Sequence, residues 1–341
     1  MRKKVVHLTR LYFPHIGGVE KHLYEVDKIL VARKYDVAVL TESTNAKLAD
    51  SELINEVKII RLHPRINKGL GYKLSLWQEI LKKINYCLTA DVIVIHDVFW
   101  WLIPFLPLLF FKKIYIVFHG YEGSNTPTRT QVFWHYMASK LTRGNICVGG
   151  FHQKWFHVKP NYTIYGAVDK FVTHKQPDSD HNIVFMGRLS EDAGILLYLS
   201  SLLILKNQHQ LYHLDIFGDG PQLKEAKNFV KQHQLDVTFY GAVKPEEIDL
   251  SKYQIAFVSR YLAILEAMAS NTKIIAHYNN DIKDDYLTLT PFAQWIKIVQ
   301  TPEEIAQAVM TKSKIKPVAT KWAQAQTWEQ VAAVYQKLWQ R

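Results

Sequence analysis

The chain has few cysteines and no apolar run long enough to cross a membrane. Its two cysteines, Cys87 and Cys147, are too few for a disulfide framework and lack the C-x-x-C spacing of a zinc site. The longest apolar stretch, residues 98–111, contains two prolines and is shorter than the ~20 residues that a membrane span needs. No signal-peptide pattern precedes the first apolar run. We therefore expect a cytoplasmic protein in a reducing compartment, with peripheral attachment to the inner face of the membrane as the alternative.

Glycine and proline are also scarce, with 15 and 12 residues among 341. Together with 48% hydrophobic residues, this composition excludes collagen-like and disordered chains. Because single cores stop growing near ~250–300 residues, the length predicts two domains.

The second half of the chain lacks net charge. Residues 1–170 hold 24 Lys and Arg against 13 Asp and Glu, whereas the remainder holds 18 of each sign. The excess of +11 therefore lies in the N-terminal half, where we expect an anionic partner such as a phosphorylated substrate or an anionic membrane. Because zinc-finger, basic-helix and RNA-binding signatures are missing, nucleic acid is not the expected partner.

Short apolar runs with little alternation recur in both halves and predict parallel sheets covered by helices. The predicted strands are 4–8, 35–41, 57–62, 91–96, 114–119, 182–186, 211–217, 237–240, 254–258 and 273–277. The polar segment 174–181 is the predicted linker. We therefore expect an α/β protein with two Rossmann-like domains, residues 1–173 and 182–325, facing across a cleft.

The end of the chain predicts one more helix, residues 326–341. Thr327 and Gln330 have the spacing of a capping box. An apolar face comprises Trp328, Val331, Ala332, Tyr335, Leu338 and Trp339. We expect this helix to pack back on the N-terminal domain.

Two predicted strands end in segments suited to phosphate binding. Gly17 and Gly18 open a helix, which brings backbone N–H groups and the positive helix end to a place that a phosphate can approach. A tight turn without a ligand is the alternative, and the G-x-G-x-x-G fingerprint is missing. Arg188 follows the first strand of the second half, where a guanidinium suits a diphosphate, although a surface arginine is the alternative.

Two further positions have ordinary structural alternatives. Gly218 begins the segment Gly218-Asp219-Gly220-Pro221 after a strand, which favours turn chemistry over ligand contact. We expect Glu266 near the start of a helix, where its carboxylate can accept two hydrogen bonds from a ribose diol. An ordinary helix carboxylate is the alternative for Glu266.

Taken in order, the motifs resemble those of family 4 glycosyltransferases, which have the GT-B fold. The resemblance spans roughly residues 5–340. It implies a nucleotide-sugar donor held mainly by the second domain, an acceptor held mainly by the first, retention of anomeric configuration, and no metal or other cofactor. The matching segments are Phe13-Pro14-His15-Ile16-Gly17-Gly18-Val19-Glu20, Phe118-His119-Gly120, Gly187-Arg188-Leu189, Gly218-Asp219-Gly220-Pro221, Val237-Thr238-Phe239-Tyr240-Gly241 and Leu265-Glu266-Ala267-Met268-Ala269-Ser270.

The resemblance also implies roles for individual residues. Gly17 and Gly18 would contact the donor diphosphate, Arg188 would neutralise it, and Glu266 would bind the nucleotide ribose. His119 would lie near the transferred sugar as a catalytic residue, with a capping or packing role as the alternative.

The acceptor candidates follow the same strand ends. Asp97 and Glu122 line the edge that carries His119, and both also fit solvated loop carboxylates.

The chain departs from the family pattern at two positions. Ala193 stands where the family often has a phosphate-binding lysine, and Val258 stands where it usually has a glutamate that holds the donor sugar. Arg260 is a candidate for the missing positive charge. Backbone amides near Leu262 are candidates for the missing sugar contact.

Two segments bear on metals and membranes. The D-x-D sequence, residues 178–180, lies in the predicted linker rather than at a strand end, so we expect no metal site.

Residues 99–113 combine two indoles with many apolar side chains and a final lysine pair. This segment suits insertion into an anionic bilayer interface, and a buried helix is the alternative.

The sequence therefore predicts a metal-independent, retaining glycosyltransferase of the hexosyltransferase type that acts on a glycan or a lipid-linked acceptor. The alternative is a catalytically degenerate GT-B protein that binds a nucleotide sugar or glycan without transfer, because a fold does not guarantee an activity.

Overall fold

The computed structural model describes residues 2–15, 17–43, 45, 48–66, 68–120, 126–169, 182–313 and 315–340. The described residues form two compact units. The first contains those up to residue 120 together with 127–164 and 328–340, and the second contains residue 126 and those of 165–327.

The first unit is built on an eight-stranded sheet of described residues with strand order β3-β4-β2-β1-β5-β6-β7-β8. Its strands are β1 (Lys4–Thr9), β2 (Asp36–Glu42), β3 (Ser51–Ile54), β4 (Val57–Leu62), β5 (Val92–His96), β6 (Ile114–Phe118), β7 (Gly144–Val148) and β8 (Tyr162–Ile164). Its first helices are α1 (Gly18–Ala32), α2 (Gly69–Lys82), α3 (Ile84–Thr89), α4 (Arg129–Leu141) and α5 (Phe151–Phe156). Neighbouring strands are parallel except β3 and β4, which pair antiparallel.

The second unit is built on a six-stranded parallel sheet of described residues with strand order β11-β10-β9-β12-β13-β14. Its strands are β9 (Asn182–Met186), β10 (His213–Phe217), β11 (Val237–Gly241), β12 (Ile255–Phe257), β13 (Lys273–His277) and β14 (Lys297–Val299). Its helices are α6 (Ile195–Asn207), α7 (Leu223–His233), α8 (Tyr261–Ala269), α9 (Asp281–Thr288), α10 (Pro302–Met310) and α11 (Pro317–Gln324).

The last helix, α12 (Trp328–Trp339), belongs to the first unit. It packs on α1 and reaches β7 and β8. Its predicted apolar face is buried, with Tyr335 fully inaccessible to solvent.

Each sheet reverses its strand order beside its first strand. In the first unit, β2 and β4 lie on one side of β1, and β5 to β8 lie on its other side. In the second unit, β10 and β11 lie on one side of β9, and β12 to β14 lie on its other side. Open α/β sheets bind ligands at the carboxyl ends of strands next to such a reversal. Ligand-binding residues are therefore expected in the loops after β1 and β5 of the first unit and in the loops after β9 and β12 of the second.

The chain leaves the first unit after Ile164, earlier than the predicted boundary at residue 173. The Tyr165 ring already packs on Tyr261 in the second unit, with centroids 5.4 Å apart. Gly166 has a φ of +95°, and a Cβ there would lie 2.5 Å from a methyl carbon of Leu262. The predicted linker, residues 174–181, lies outside the described residues.

The tryptophan-rich segment is neither a regular helix nor uniformly buried. It forms two short 3-10 turns, Phe99–Trp101 and Ile103–Phe105. Trp101 is fully buried, whereas Phe110 and Phe111 are 76% and 88% exposed. In the described part of the chain, no helix is long and apolar enough to cross a membrane.

Candidate active site

The loop after β1 leads to the N-terminus of α1. Gly17 precedes the helix with an extended φ of −166°, and no described side chain caps this helix end. A Cβ at Gly17 would lie 2.2 Å from a carboxylate oxygen of Glu20, so the close approach requires glycine or a shift of Glu20. Gly18 is exposed and begins the helix, where backbone N–H groups have no partner within the helix. This end can therefore receive an anion, although the Glu20 carboxylate lies beside it.

The loops after β5 and β6 are joined through Asp97 and His119. Asp97 has a left-handed φ of +60°, and its two carboxylate oxygens lie 3.1 and 3.3 Å from the His119 backbone N–H nitrogen. Asp97, an acceptor candidate by sequence, thus accepts the N–H of His119 and holds its backbone. Glu122, the other acceptor candidate, lies outside the described residues.

Buried polar side chains extend from His119 into the first unit. The Nε2 atom of His119 lies 2.8 Å from Nδ1 of His96, and Nε2 of His96 lies 2.9 Å from Nδ1 of His7. The Nε2 atom of His7 lies 3.3 Å from Oδ1 of Asp27, whose Oδ2 accepts the Tyr12 hydroxyl at 2.9 Å. We call the series Asp27, His7, His96 and His119 the histidine line.

The histidine line is desolvated, and burial keeps its imidazoles neutral at pH 7. Burial, helped by His22, lowers the pKa of His7 to about 3. Burial also lowers the pKa of His96 and of His119 well below the usual value. The pKa of the Asp27 carboxyl is raised to about 8 by burial, against the lowering effect of the Tyr12 hydrogen bond.

Sequence reasoning missed this network because it treated histidines one at a time. His7 has buried apolar neighbours on both sides in β1, and His96 ends a strand whose other residues are all apolar and buried. A polar side chain in such a strand needs a buried partner, and this was the available signal.

In the second unit, the turns after β9 and β10 interlock. Arg188 is exposed in the first turn. The Leu189 N–H donates to the Asp219 carbonyl at 2.9 Å, and a Cβ at Gly218 would lie 1.8 Å from the Gly187 carbonyl oxygen. With its φ of +154°, Gly218 is required by the close approach of the two turns, which favours its structural alternative.

The loop after β12 and the helix α9 each bring a basic side chain to the turn that follows Arg188. The Arg260 guanidinium forms an ion pair with the Asp192 carboxylate and lies over the Tyr286 ring, 5.8 Å from its centroid. The fully buried Lys283 amine donates to the Asp192 backbone carbonyl at 3.0 Å and to the Ser259 hydroxyl at 3.1 Å. The Arg260 guanidinium and the Lys283 amine therefore both contact Asp192, next to Ala193, the position of the missing lysine.

Burial and these contacts shift the pKa values of Asp192 and Lys283. Burial raises the pKa of Asp192, but Arg260, Ser190 and Lys283 outweigh it, so this pKa lies below its usual value. Burial, with Arg260, lowers the pKa of Lys283 well below its usual value. Lys283 was missed because its surrounding sequence is that of an ordinary polar helix.

The prediction that Glu266 lies near a helix start is wrong. Arg260 has an extended φ of −119°, so α8 begins at Tyr261 and Glu266 stands in its second turn. The argument from the helix dipole therefore does not apply to Glu266. Leu262 does lie in the first turn, where α8 has no side-chain cap among the described residues.

The described residues contain no group of three or more His, Cys, Asp or Glu side chains arranged to hold a metal ion. The D-x-D segment lies outside them.

Two family descriptions match the chain. Glycosyltransferase Family 4 matches residues 16–169, and Glycosyl transferases group 1 matches residues 169–327. No curated protein sequence matches.

Solved structures share the fold over nearly the whole chain. Sucrose-phosphate synthase from Thermosynechococcus elongatus has a TM-score of 0.77 at 17% identity, covering 99% of this chain and 98% of that one. Anabaena Alr3699/HepE, solved with UDP and glucose, has a TM-score of 0.72 at 14% identity, covering 98% and 99%. A glycosyltransferase from Rickettsia africae has a TM-score of 0.69 at 14% identity, covering 99% and 98%.

Two parallel-sheet units and these neighbours define the GT-B fold. Within that class, the chain belongs to the family 4-like glycosyltransferases.

Proposed function

We propose that this protein transfers a hexosyl group from a nucleoside diphosphate sugar to a glycan or lipid-linked acceptor, with retention of configuration and without a metal or other cofactor. The observation that carries the proposal is the exposed Arg188 guanidinium directly after β9, beside the reversal of the second sheet. A planar guanidinium at such a strand end can engage two oxygens of a diphosphate. The UDP and glucose in the Anabaena structure support a nucleotide sugar as the donor.

In the proposed reaction, the bond between the anomeric carbon and the diphosphate oxygen breaks, and its electron pair stays with the diphosphate. The acceptor hydroxyl oxygen forms the new bond to that carbon on the same face, and its proton passes to the departing diphosphate. Arg188 and the N–H groups at the start of α1 would stabilise the charge that develops on the leaving group. His119 would contact the transferred sugar.

The second candidate function is binding of a nucleotide sugar without transfer. Ala193 and Val258 favour it, because each replaces a side chain that the family resemblance assigns to the donor site. Arg260 also supports it, since its guanidinium is already paired with Asp192.

The contacts of Arg260 lead to a prediction about donor binding. Glu266→Ala should cost more donor affinity than Arg260→Ala, because Arg260 is engaged by Asp192 and Glu266 is the proposed ribose ligand. A lost hydrogen bond to a charged group weakens binding by about ten- to a hundredfold, and we expect a smaller loss for Arg260→Ala. Titration calorimetry with a nucleoside diphosphate compares the two variants.

Asp192→Asn is the matched control, because it weakens the ion pair while leaving Arg260 in place. If Arg260→Ala proved more damaging than Glu266→Ala, Arg260 would have to be assigned as a replacement for the missing phosphate-binding lysine.

For the acceptor side, we propose peripheral binding to anionic membranes through the segment Leu108–Lys113, which we call the phenylalanine tip. Phe110 and Phe111 are its most exposed apolar side chains, and Lys113 follows them. The buried Trp101 has no part in this contact. The positive charge of residues 1–170 favours an anionic surface.

Vesicles containing anionic lipid should therefore retain the protein at low salt and release it at high salt, since attraction is screened within ~10 Å at 0.1 M. The double substitution Phe110→Ser and Phe111→Ser should reduce retention about tenfold or more. Leu211→Ser, which changes an exposed apolar residue of the second unit, should retain wild-type binding. Equal retention of all three proteins in a sedimentation assay would exclude the tip as the contact.

A further inference from the structure

The histidine line joins two strands, a loop and a helix through buried polar contacts. Asp27 comes from α1, His7 from β1, His96 from the end of β5, and His119 from the loop after β6. Asp27 and His7 are fully buried and His96 is 2% exposed. Two of the contacts are as short as ordinary hydrogen bonds, at 2.8 and 2.9 Å.

The remaining contact, between Asp27 and His7, is 3.3 Å long. Among the described residues, Oδ1 of Asp27 and Nε2 of His7 have no other hydrogen-bond partner. Because an unpaired buried polar atom is costly, a proton shared by these two atoms is the available way to satisfy both.

A neutral imidazole carries one N–H, so the proton at one end fixes the direction of every link. With Asp27 protonated, its O–H donates to Nε2 of His7, Nδ1–H of His7 donates to His96, and Nδ1–H of His96 donates to His119. His119 then carries its own hydrogen on Nδ1. Loss of one proton from the line reverses every link: Asp27 is ionised, His119 donates from Nε2, and Nδ1 of His119 becomes an acceptor.

We propose that Asp27, acting through His7 and His96, determines which ring nitrogen of His119 carries the hydrogen. His119 then offers the transferred sugar either a hydrogen-bond donor or an acceptor. The consequence for the sugar rests on the proposed function, whereas the tautomer itself does not. Asp27, His7 and His96 are thus positioning residues for His119.

Other titratable groups face Asp27 and His7. The Tyr12 hydroxyl, from the turn after β1, donates to Asp27, and burial raises the Tyr12 pKa far above its usual value. His22, from α1, lies near His7, and burial lowers its pKa to about 3. Tyr335, from α12, lies 2.8 Å from His22 through its hydroxyl, and burial raises its pKa well above the usual value.

His119 has further neighbours of its own. Its ring meets His22 edge-on, with centroids 4.9 Å apart, and Asp97 accepts its backbone N–H. His152 of α5 acts on it electrostatically, and burial lowers the His152 pKa to about 3. Asp27, with its pKa raised to about 8 by burial, is the member of this group expected to titrate in mildly alkaline solution.

Two-bond ¹H–¹⁵N correlation spectra of the full chain labelled with ¹⁵N-histidine test the proposal directly. We expect His7, His96 and His119 to carry hydrogen on Nδ1 at neutral pH and to move together to Nε2 through about pH 8. A His119→Gln variant identifies the His119 signal by its loss. Constant tautomers of the three residues from about pH 6 to about pH 9.5 would overturn the proposal.

Asp27→Asn tests the direction of control. The oxygen of the introduced carboxamide would accept the Tyr12 hydroxyl, and its N–H would donate to His7, so the three histidines should keep hydrogen on Nδ1 at every pH. Asp36→Asn, an exposed change of the same charge at the start of β2, should retain the wild-type switch. A switch that persists in Asp27→Asn would overturn the proposal, and wild-type spectra decide the question if that variant does not fold.

Transfer assays give the functional consequence. Loss of one hydrogen bond to the sugar should lower the wild-type transfer rate about tenfold above pH 8, while Asp27→Asn stays insensitive in that range. If the tautomers switch but the wild-type transfer rate does not fall above pH 8, His119 does not contact the transferred sugar. Absence of transfer at every pH with the switch intact would contradict the proposed function and leave the histidine line supported.

Discussion

Between pH 6.5 and pH 5, the free energy of unfolding of the first unit is expected to fall by at least about 3 kcal/mol. Burial lowers the pKa values of His7, His22 and His152 from 6.5 to about 3. The unfolded chain therefore binds more protons than the folded chain in this range, and stability is lost as the pH falls. Because an unfolded histidine is half protonated at pH 6.5, each of the three contributes about 1.6 kcal/mol over this range, or about 5 kcal/mol together. His96 and His119, whose pKa values burial also lowers, add to this loss.

Asp27 opposes this loss. Its pKa of about 8 in the folded state exceeds the usual 3.8, so the folded chain binds the extra proton and gains about 2 kcal/mol over the same range. The remaining loss of about 3 kcal/mol is a large fraction of the ~5–15 kcal/mol that stabilises a typical domain. Hydrogen exchange at pH 6.5 and pH 5, corrected for the intrinsic exchange rate, measures the opening free energy of β1, β5 and β6 against that of β9 and β10.

His152→Phe provides a control variant for the acid effect. The His152 ring is fully buried against Phe118, Phe151 and Phe156, with centroid separations of 5.8, 4.1 and 5.6 Å. A phenyl ring at this position keeps the aromatic packing and cannot be protonated. The variant should recover about 2 kcal/mol at pH 5. If the opening free energies of both units fell equally on acidification, the loss could not be assigned to buried histidines of the first unit. An equal loss in wild type and His152→Phe would contradict that assignment as well.

Arg188→Ala is expected to reduce affinity for a nucleoside diphosphate about ten- to a hundredfold while leaving the fold intact. A charge-assisted hydrogen bond to phosphate is worth on the order of 1.5–3 kcal/mol, and Arg188 is exposed, so its removal creates no cavity. Titration calorimetry measures the loss of affinity. The free energy of unfolding should stay within about 0.5 kcal/mol of wild type.

Two further variants separate charge from geometry. Arg188→Lys keeps the charge but loses the planar fork, and should fall between wild type and Arg188→Ala. Lys224→Ala, which removes an exposed cation from α7 in the same unit, should bind as wild type does. Unchanged donor affinity in Arg188→Ala would remove Arg188 from the site.

The central strands of both units could be predicted from sequence because they are short apolar runs. Strands at or near the sheet edges were missed: β3 pairs only with β4 among the described strands, and β8 and β14 have three residues each. Such strands carry a weak periodic signal, since one face or one edge meets solvent. The core strand β7 was missed as well, although all five of its residues are buried.

The candidate site could be predicted only where a motif follows a strand. Arg188 and His119 are candidates of this kind. Asp192 and Lys283 were missed because they approach Arg260, a candidate by sequence, from segments that lie far apart in the chain. The parallel pairing of β9 with β12 and of β12 with β13 brings these segments together. His7, His96 and Asp27 were missed for the same reason, because their partnership depends on the neighbouring positions of β1 and β5.

A thermal-shift screen of nucleoside diphosphates identifies the nucleotide to use in later assays. A ligand at about 100 times its dissociation constant adds about 2.7 kcal/mol to stability, which is readily detected as a higher melting temperature.

Release of nucleoside diphosphate from nucleotide sugars is the most direct measurement of the proposed function. The purified chain is incubated with the sugars of the selected nucleotide, with and without EDTA, in the presence of glycans or of vesicles containing lipid-linked acceptors. We predict release that depends on an acceptor, survives EDTA and is strongly reduced in Arg188→Ala. Donor binding without release under any of these conditions, including added magnesium or manganese, would contradict transfer and favour the binding function.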